Sequence, residues 1–314
     1  MPLPITDSLS NTTSLMTILL VGGTGLLGST VAAELVKNGE PVRALVRSGK
    51  RTEYLRSLGV EFDVGDLCDP RSLRRALADI RVVITTAQSN PFDRNTRGGH
   101  IDGMGNQNLI AAAKEAGVEH FVFVSALKAD EGASEVMLLS YKHAAELALK
   151  ASGLCYTIIR PSSFQETFGN DLVPLKQYVQ QFGVGLIPGN GKGLHSFVAI
   201  RDVARTVALA LERSEAINTV INIGGPDDLT YRDAYTRIMQ MTGQPLRILP
   251  LHSRLLAVGG TLSTPVFPNL RDLLDLFAFC DRANYTCVAP AWLIDALGRR
   301  RSFDDSIREM YSRR

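Results

Sequence analysis

The chain has 314 residues, of which 45% are hydrophobic and 21% charged, with a formal net charge of +2. That length can bury a sizeable core, and the near balance of charge argues against nucleic acid or an acidic membrane surface as the partner. Cys68, Cys155, Cys280 and Cys287 lack the close pairing of a zinc site, so they read as free thiols of a reducing compartment, with Cys155 a small core residue and no metal expected.

No apolar run reaches the length of a membrane span, and residues 1–15 lack a basic start or signal-like core. They are expected to form a flexible leader on a cytoplasmic protein. The first clear element is an apolar strand over 17–21, followed by Gly22-Gly23-Thr24-Gly25-Leu26-Leu27-Gly28 and a helical face of Leu27, Val31, Ala32, Leu35 and Val36. Glycines at 22, 25 and 28 answer the needs of a dinucleotide: a tight turn, close main-chain approach to a pyrophosphate, and close strand–helix packing. Free N–H groups of the helix, around Thr24, Gly25, Leu26 and Leu27, then face the phosphates.

Strands over 41–46, 60–63 and 80–85 alternate with helices over 53–58 and 70–77. A helix over 103–116, a strand over 120–124, a helix over 135–151 and a strand over 155–159 continue the order. This alternation predicts an α/β architecture, a Rossmann-type doubly wound parallel sheet covered on both faces. Ser152-Gly153 ends one helix, and Arg160-Pro161 ends the next strand. The nucleotide-binding core is expected over 16–161.

Further on, the pattern predicts a helix over 172–181, a glycine-punctuated excursion over 183–193, and a return to the sheet over 197–200. An amphipathic helix over 202–213, a strand over 220–223, and a helix capped by Thr230 and Asp233 follow. An extended piece at 246–250 and helices at 270–279 and 291–297 come last. Residues 162–314 are therefore expected to supply remaining core elements, over about 195–225, and a smaller C-terminal substrate lobe. The basic spots at 299–301 and 313–314 read as solvated ends.

Candidate ligand-binding residues sit after the strands. Arg47 stands where an NAD-preferring site would carry a carboxylate, with Arg43, Lys50 and Arg51 nearby. A guanidinium pairs with a 2′-phosphate, so NADP is the expected cofactor. Asp66 either accepts from an adenine amino group, with Leu67 covering the ring, or opens the turn before the next helix. Thr85-Thr86-Ala87 leave room for the nicotinamide ribose.

These features, with Phe123-Val124-Ser125 and the segment from Lys142-His143-Ala144-Ala145-Glu146 to Arg160-Pro161, resemble the atypical short-chain dehydrogenase/reductase superfamily and its NmrA-like branch. The resemblance spans residues 17–161, weakens over 195–225 and is slight beyond. It implies NADP in a Rossmann-type domain and a substrate lobe built after Pro161. Ordinary members join a serine after the fifth strand to a Tyr-x-x-x-Lys pair. Ser125 and Lys142 match the serine and lysine, while Leu138 stands at the tyrosine position. A leucine cannot protonate an alkoxide. Lys142 is left to bind ribose hydroxyls, and Ser125 to orient a substrate oxygen.

Lys128, Tyr141 and His195 are the candidate substitute proton donors; Tyr141 also reads as a core or cleft-wall aromatic, and His195 as a hydrogen-bonding loop residue. Met137, Leu138, Phe164 and Phe168 either line an apolar pocket or pack the lobe onto the core. The expected function is NADPH-dependent reduction of a small apolar or aromatic compound such as a quinone or enone. The alternative is a non-catalytic NADP-binding redox sensor or regulator, with an epimerase as a weaker third. Apolar helices over 104–113 and 138–148 either form a homodimer face or are buried within the chain.

Overall fold

Seven short strands lie parallel because each is separated from the next by a segment able to return the chain to the same sheet edge. They are β1 (Ile18–Val21), β2 (Val42–Val46), β3 (Glu61–Val64), β4 (Val82–Thr85), β5 (His120–Val124), β6 (Cys155–Pro161) and, after an excursion, β9 (Thr219–Ile223). The sheet order is β3-β2-β1-β4-β5-β6-β9. Ile18 aligns with Val42 on one side and Val82 on the other, so the order reverses at β1. A crevice opens outside the carboxyl ends of strands at such a reversal. The computed structural model describes residues 17–47, 52–90, 99–169, 175–252 and 269–312. The expected leader, Lys50, Arg51, residues 172–174 and Arg313-Arg314 lie outside the described residues.

Alternation along each strand builds two cores. Ile18, Leu20, Val82, Ile84 and Val122 face α1 (Leu26–Lys37) and α7 (Ile200–Glu212), meeting Val31, Leu35, Val203 and Val207. Leu19, Val21, Val83, Phe121 and Phe123 face the other side, against α3 (Pro70–Ala76), α4 (Asn106–Glu115) and α5 (Met137–Ser152). Leu109, Ile110, Ala113, Ala145 and Leu149 are buried there, so the sheet itself covers most of the apolar pattern of α4 and α5. The short helix α2 (Glu53–Ser57) closes the β2 side through Leu55.

The helix expected over 103–116 is divided. A π-helical turn, Gly99–Gly105, precedes α4, and Asn106 donates from Nδ2 to the carbonyls of Ile101 and Asp102, at 3.2 Å each. Its glycines admit an aromatic ring: a Cβ at Gly103 would lie 3.1 Å from Tyr141 Cδ1. Gly153 ends α5 with φ +84°, the left-handed cap expected of Ser152-Gly153. β6 runs through Arg160 and Pro161, two residues past its expected end, because Pro161 can still accept, here from Leu127 N at 3.0 Å. Cys155 is exposed as the first residue of β6, not a core residue.

The C-terminal elements assemble a second cluster. After α6 (Leu175–Phe182), the excursion over 183–193 holds β7 (Val184–Pro188), which pairs in parallel with β11 (Arg247–Leu251). β8 (Leu194–His195) pairs antiparallel with β10 (Leu229–Thr230). The expected strand over 197–200 does not join the main sheet: Val198 bridges only to Phe164, and Ile200 already begins α7. α8 (Tyr231–Thr242) carries the Thr230–Asp233 capping box in full. Phe168 is its aromatic hub, edge-on to Phe197, Tyr235 and Phe303 at 5.3–5.4 Å. α9 (Leu270–Ala283) brings Phe279 onto Leu138 and Leu139 of α5.

α10 (Ala291–Leu297) and α11 (Phe303–Ser312) end the described fold. The basic spot between them is structural: Arg300 donates to the carbonyls of Gly224 and Gly225 at 2.9 and 3.1 Å, and Arg301 N to Asp202 at 2.8 Å. Among the described residues, no helix is long and apolar enough to cross a membrane.

The turn between β1 and α1 is tightly packed. Gly22 has φ +86°, and a Cβ on Gly28 would overlap the Gly22 carbonyl oxygen. Gly28→Ala should therefore cost about 1–3 kcal/mol, read as a lower urea midpoint. A variant as stable as the parent would contradict this packing.

Candidate functional site

The glycine turn spends one donor internally and leaves the first N–H groups of α1 without an intrahelical acceptor. Gly25 N donates to Gly22 O at 3.0 Å, after which Gly25 caps α1 without a side-chain acceptor, and no acid occupies the first turn. Thr24, Gly25 and Leu26 are exposed and Leu27 is half-buried. The end of α1 thus keeps its N–H groups and partial positive charge open to an anion. Those features, with the side-chain-free approach at Gly22 and Gly28, fit a pyrophosphate.

Arg47 is exposed just beyond β2, beside the turn after β3. There Asp66 takes the turn role: its carboxylate accepts from Cys68 N at 2.7 Å. Partial burial and then the Asp66 carboxylate push the Cys68 thiol up, and the Arg47 guanidinium acts the opposite way. Leu67 is buried against Gly105, where an added Cβ would lie 2.9 Å from its own. Thr85 is fully buried, donating to Asn106 Oδ1 at 3.3 Å, while Thr86 donates to Val21 O at 3.3 Å.

Lys142 joins the strand ends. Its ammonium donates to the carbonyls of Ala87 and Val124, both at 3.3 Å, and stands 3.6 Å from Asp102 Oδ1 and 5.2 Å from the Phe123 ring centroid. Asp102 Oδ2 accepts from Ser89 N at 2.9 Å and Ser89 Oγ at 2.6 Å. Burial lowers the Lys142 pKa, opposed first by Asp102 and then by Glu146. Ser125 follows β5 with its hydroxyl buried and without a hydrogen-bond partner among the described residues, an arrangement that a bound polar group would complete. Glu146 and Arg160, also in the segment that carries the family resemblance, form a buried bidentate pair at 2.9 and 2.5 Å. That pair ties β6 to α5.

The substitute proton donors are placed differently from one another. Tyr141 is half-buried over the π-helical turn, and burial, then Asp272 and Asp102, raise its pKa, weakening it as an acid. Lys128 has φ +54° and pairs with Glu131 at 2.8 Å. His195 does not stand open at a cleft mouth: it is fully buried, with Nδ1 2.9 Å from Ser163 Oγ, and burial pushes its pKa down to about 4. Leu138 is buried in the cluster with Phe279 and Tyr285. Phe168 is core and Phe164 packs against the core, whereas Met137 is exposed.

Sequence reasoning missed Asp102, Ser89, Asn106 and Ser163. Asp102 and Asn106 stand four apart in a glycine- and alanine-rich run, a spacing that aligns them on one helical face. Asp272, half-buried on α9, was also unread; burial, then Asp275 and Asp102, push it up to about 6. Its contact with this region depends on tertiary docking.

The buried imidazole makes stability pH-dependent. Unfolding lets His195 titrate near 6.5 instead of about 4, so the unfolded chain binds more protons between those values and stability falls as pH drops through them. The stability of the parent relative to His195→Asn should decline by up to about 3 kcal/mol between pH 7 and 4, measured by urea unfolding. A difference constant across that range would contradict the buried neutral ring.

A family model described as NAD(P)H-binding matches residues 22–214. The chain is 32% identical over 235 residues to the photosystem II assembly factor Ycf39 of Cyanophora paradoxa, covering 74% of this chain and 71% of that protein. It is 29% identical over 234 residues to the NAD(P)H azoreductase of Xenophilus azovorans, covering 74% and 77%. Its fold is similar to the NADPH-dependent quinone oxidoreductase QOR2 of Escherichia coli, solved with NADPH, at a TM-score of 0.77, 21% identity, and coverage of 94% of this chain and 99% of that one. The chain belongs to the NAD(P)H-binding family, in agreement with the atypical short-chain dehydrogenase/reductase resemblance of its motifs.

Proposed function

We propose that the protein is an NADPH-dependent reductase of a small apolar or aromatic compound with a conjugated acceptor, such as a quinone or enone. The observation that carries the reading is an unpartnered buried hydroxyl, Ser125, next in the chain to Val124, whose carbonyl accepts from the Lys142 ammonium at the ends of β4 and β5, while Leu138 stands at the tyrosine position. Bound NADPH supplies the hydride. Ser125 orients the acceptor, and Lys142 holds positive charge beside it. A conjugated acceptor spreads the charge it gains over several atoms, so it needs a fixed proton donor less than an isolated ketone does. The azoreductase and quinone oxidoreductase relatives support this class.

Arg47 supports NADPH over NADH, residues beyond Pro161 are assigned the substrate lobe, and the free thiols fit the cytoplasm. The similarity to Ycf39, together with Leu138, supports a second reading as an NADP-responsive factor without turnover. Duroquinone separates the two, because its four ring positions are methylated and the exposed thiols of Cys68 and Cys155 cannot add to it. The reductase should consume NADPH with duroquinone, and Ser125→Ala should lower kcat/KM about tenfold with NADPH affinity retained. Binding of NADPH without turnover on any quinone or enone would support the second reading. Arg47→Ala should weaken NADPH about tenfold and leave NADH nearly unchanged, by fluorescence titration; equal losses would contradict the 2′-phosphate assignment.

A further inference from the structure

One buried polar pair at the carboxyl edge of the sheet has no part in the chemistry assigned above. Ser162 and Ser163 follow β6 as Ser125 follows the neighbouring β5. Main-chain bonds fix this segment on both sides: Ser162 N donates to Ile223 O and Val198 N to Ser163 O, both at 2.9 Å, and Ser162 Oγ donates to Tyr285 O at 2.7 Å. The Ser163 side chain is half-buried, and its hydroxyl is 2.9 Å from Nδ1 of the fully buried His195. The imidazole stacks on Phe197 at 5.0 Å and meets Tyr231 edge-on at 5.0 Å, and its Nε2 has no hydrogen-bond partner among the described residues.

A ring so enclosed is neutral and carries one proton. On Nε2 that proton would be a buried donor without an acceptor, whereas on Nδ1 it leaves only an unpaired lone pair, the more tolerable defect. The hydrogen-bond pattern thus assigns the proton to Nδ1, which donates to Ser163 Oγ. The Ser163 hydroxyl proton is then not spent on His195.

We propose that Ser163 is a substrate-binding hydroxyl that donates to a carbonyl oxygen of the substrate, and that His195 is the positioning residue that leaves its proton free to do so. This rests on the reductase reading and narrows its substrates to compounds that present an acceptor oxygen. It also gives His195 a role that needs no exposure: the ring orients a neighbour and exchanges no proton with substrate.

The test is duroquinone binding to the NADP+-loaded protein by calorimetry, where no reduction occurs. Ser163→Ala should weaken duroquinone about 3- to 10-fold and leave NADP+ affinity unchanged, while the loss of the acceptor for His195 Nδ1 lowers the melting temperature. His195→Asn, whose amide nitrogen can occupy the place of Nδ1, should keep the parent affinity. His195→Phe, which leaves the hydroxyl in place but unheld, should weaken duroquinone by no more than Ser163→Ala, and the double variant should be no weaker than Ser163→Ala alone. Should His195→Phe fail to fold, Ser163→Ala and His195→Asn still decide the matter. Unchanged affinity in Ser163→Ala, a loss in His195→Asn equal to that in Ser163→Ala, or a parent that binds NADP+ but no duroquinone overturns the proposal. A parent whose duroquinone affinity depends on Ser163 but which consumes no NADPH would uphold the Ser163 assignment and remove the reductase reading.

Discussion

The contact on which the site depends is the approach of α1 to β1 at Gly28 and Gly22, where neither residue has room for a Cβ. Gly22 lies against the end of β4 as well: its added Cβ would come within 2.8 Å of Ala87 N and Thr86 Oγ1. Ala87 in turn offers its carbonyl to Lys142. The phosphate-facing turn, the terminus of β4 and the buried ammonium are therefore one run of direct contacts. A shift of α1 away from the sheet would move the phosphate-facing donors and loosen the wall on which Lys142 rests. Close packing makes such a displacement costly in both places at once.

Charge inside this fold is held by neighbours from different elements. Lys142 reaches two strand-end carbonyls and Asp102, and Asp102 is held in turn by Ser89. Arg160 reaches Glu146 on α5 and Asp130 in the loop after β5. Burying an ion is expensive, and losing one partner leaves the other uncompensated, so such networks fix one arrangement more than they raise stability. The π-helical turn supplies Asp102 at the required place, and its glycines make room for Tyr141. Leu138 completes the apolar seam between α5 and α9, where a hydroxyl would need a partner of its own.

The sheet was readable because its signals are local. The strand at His120–Val124 matches its expected span, and Val42–Val46 differs by one residue, since alternating apolar residues flanked by turn chemistry define both. Glycine positions carried the turn at Gly22 and the cap at Gly153 for the same reason. β7 was obscured by glycines, and its strand character comes from pairing with β11, some sixty residues onward. The apolar run at 197–200 mimics a strand, yet Phe197 is buried in the aromatic cluster around Phe168 and Val198 in the core that α7 covers. Of the site, the glycines, Ser125 and Lys142 were legible as motif positions. The Asp102 partner and the Ser163–His195 pair were not, because each joins segments that meet only after folding.

The central claim is that this chain directs a hydride from NADPH to a conjugated acceptor without a tyrosine at position 138. It is tested most directly by supplying NADPH deuterated on each face of nicotinamide C4 in turn, together with an enone, and locating deuterium in the product by NMR. The account predicts deuterium on the β-carbon from one labelled face only. Bound cofactor that keeps its label on both faces, with the enone unchanged, would contradict it.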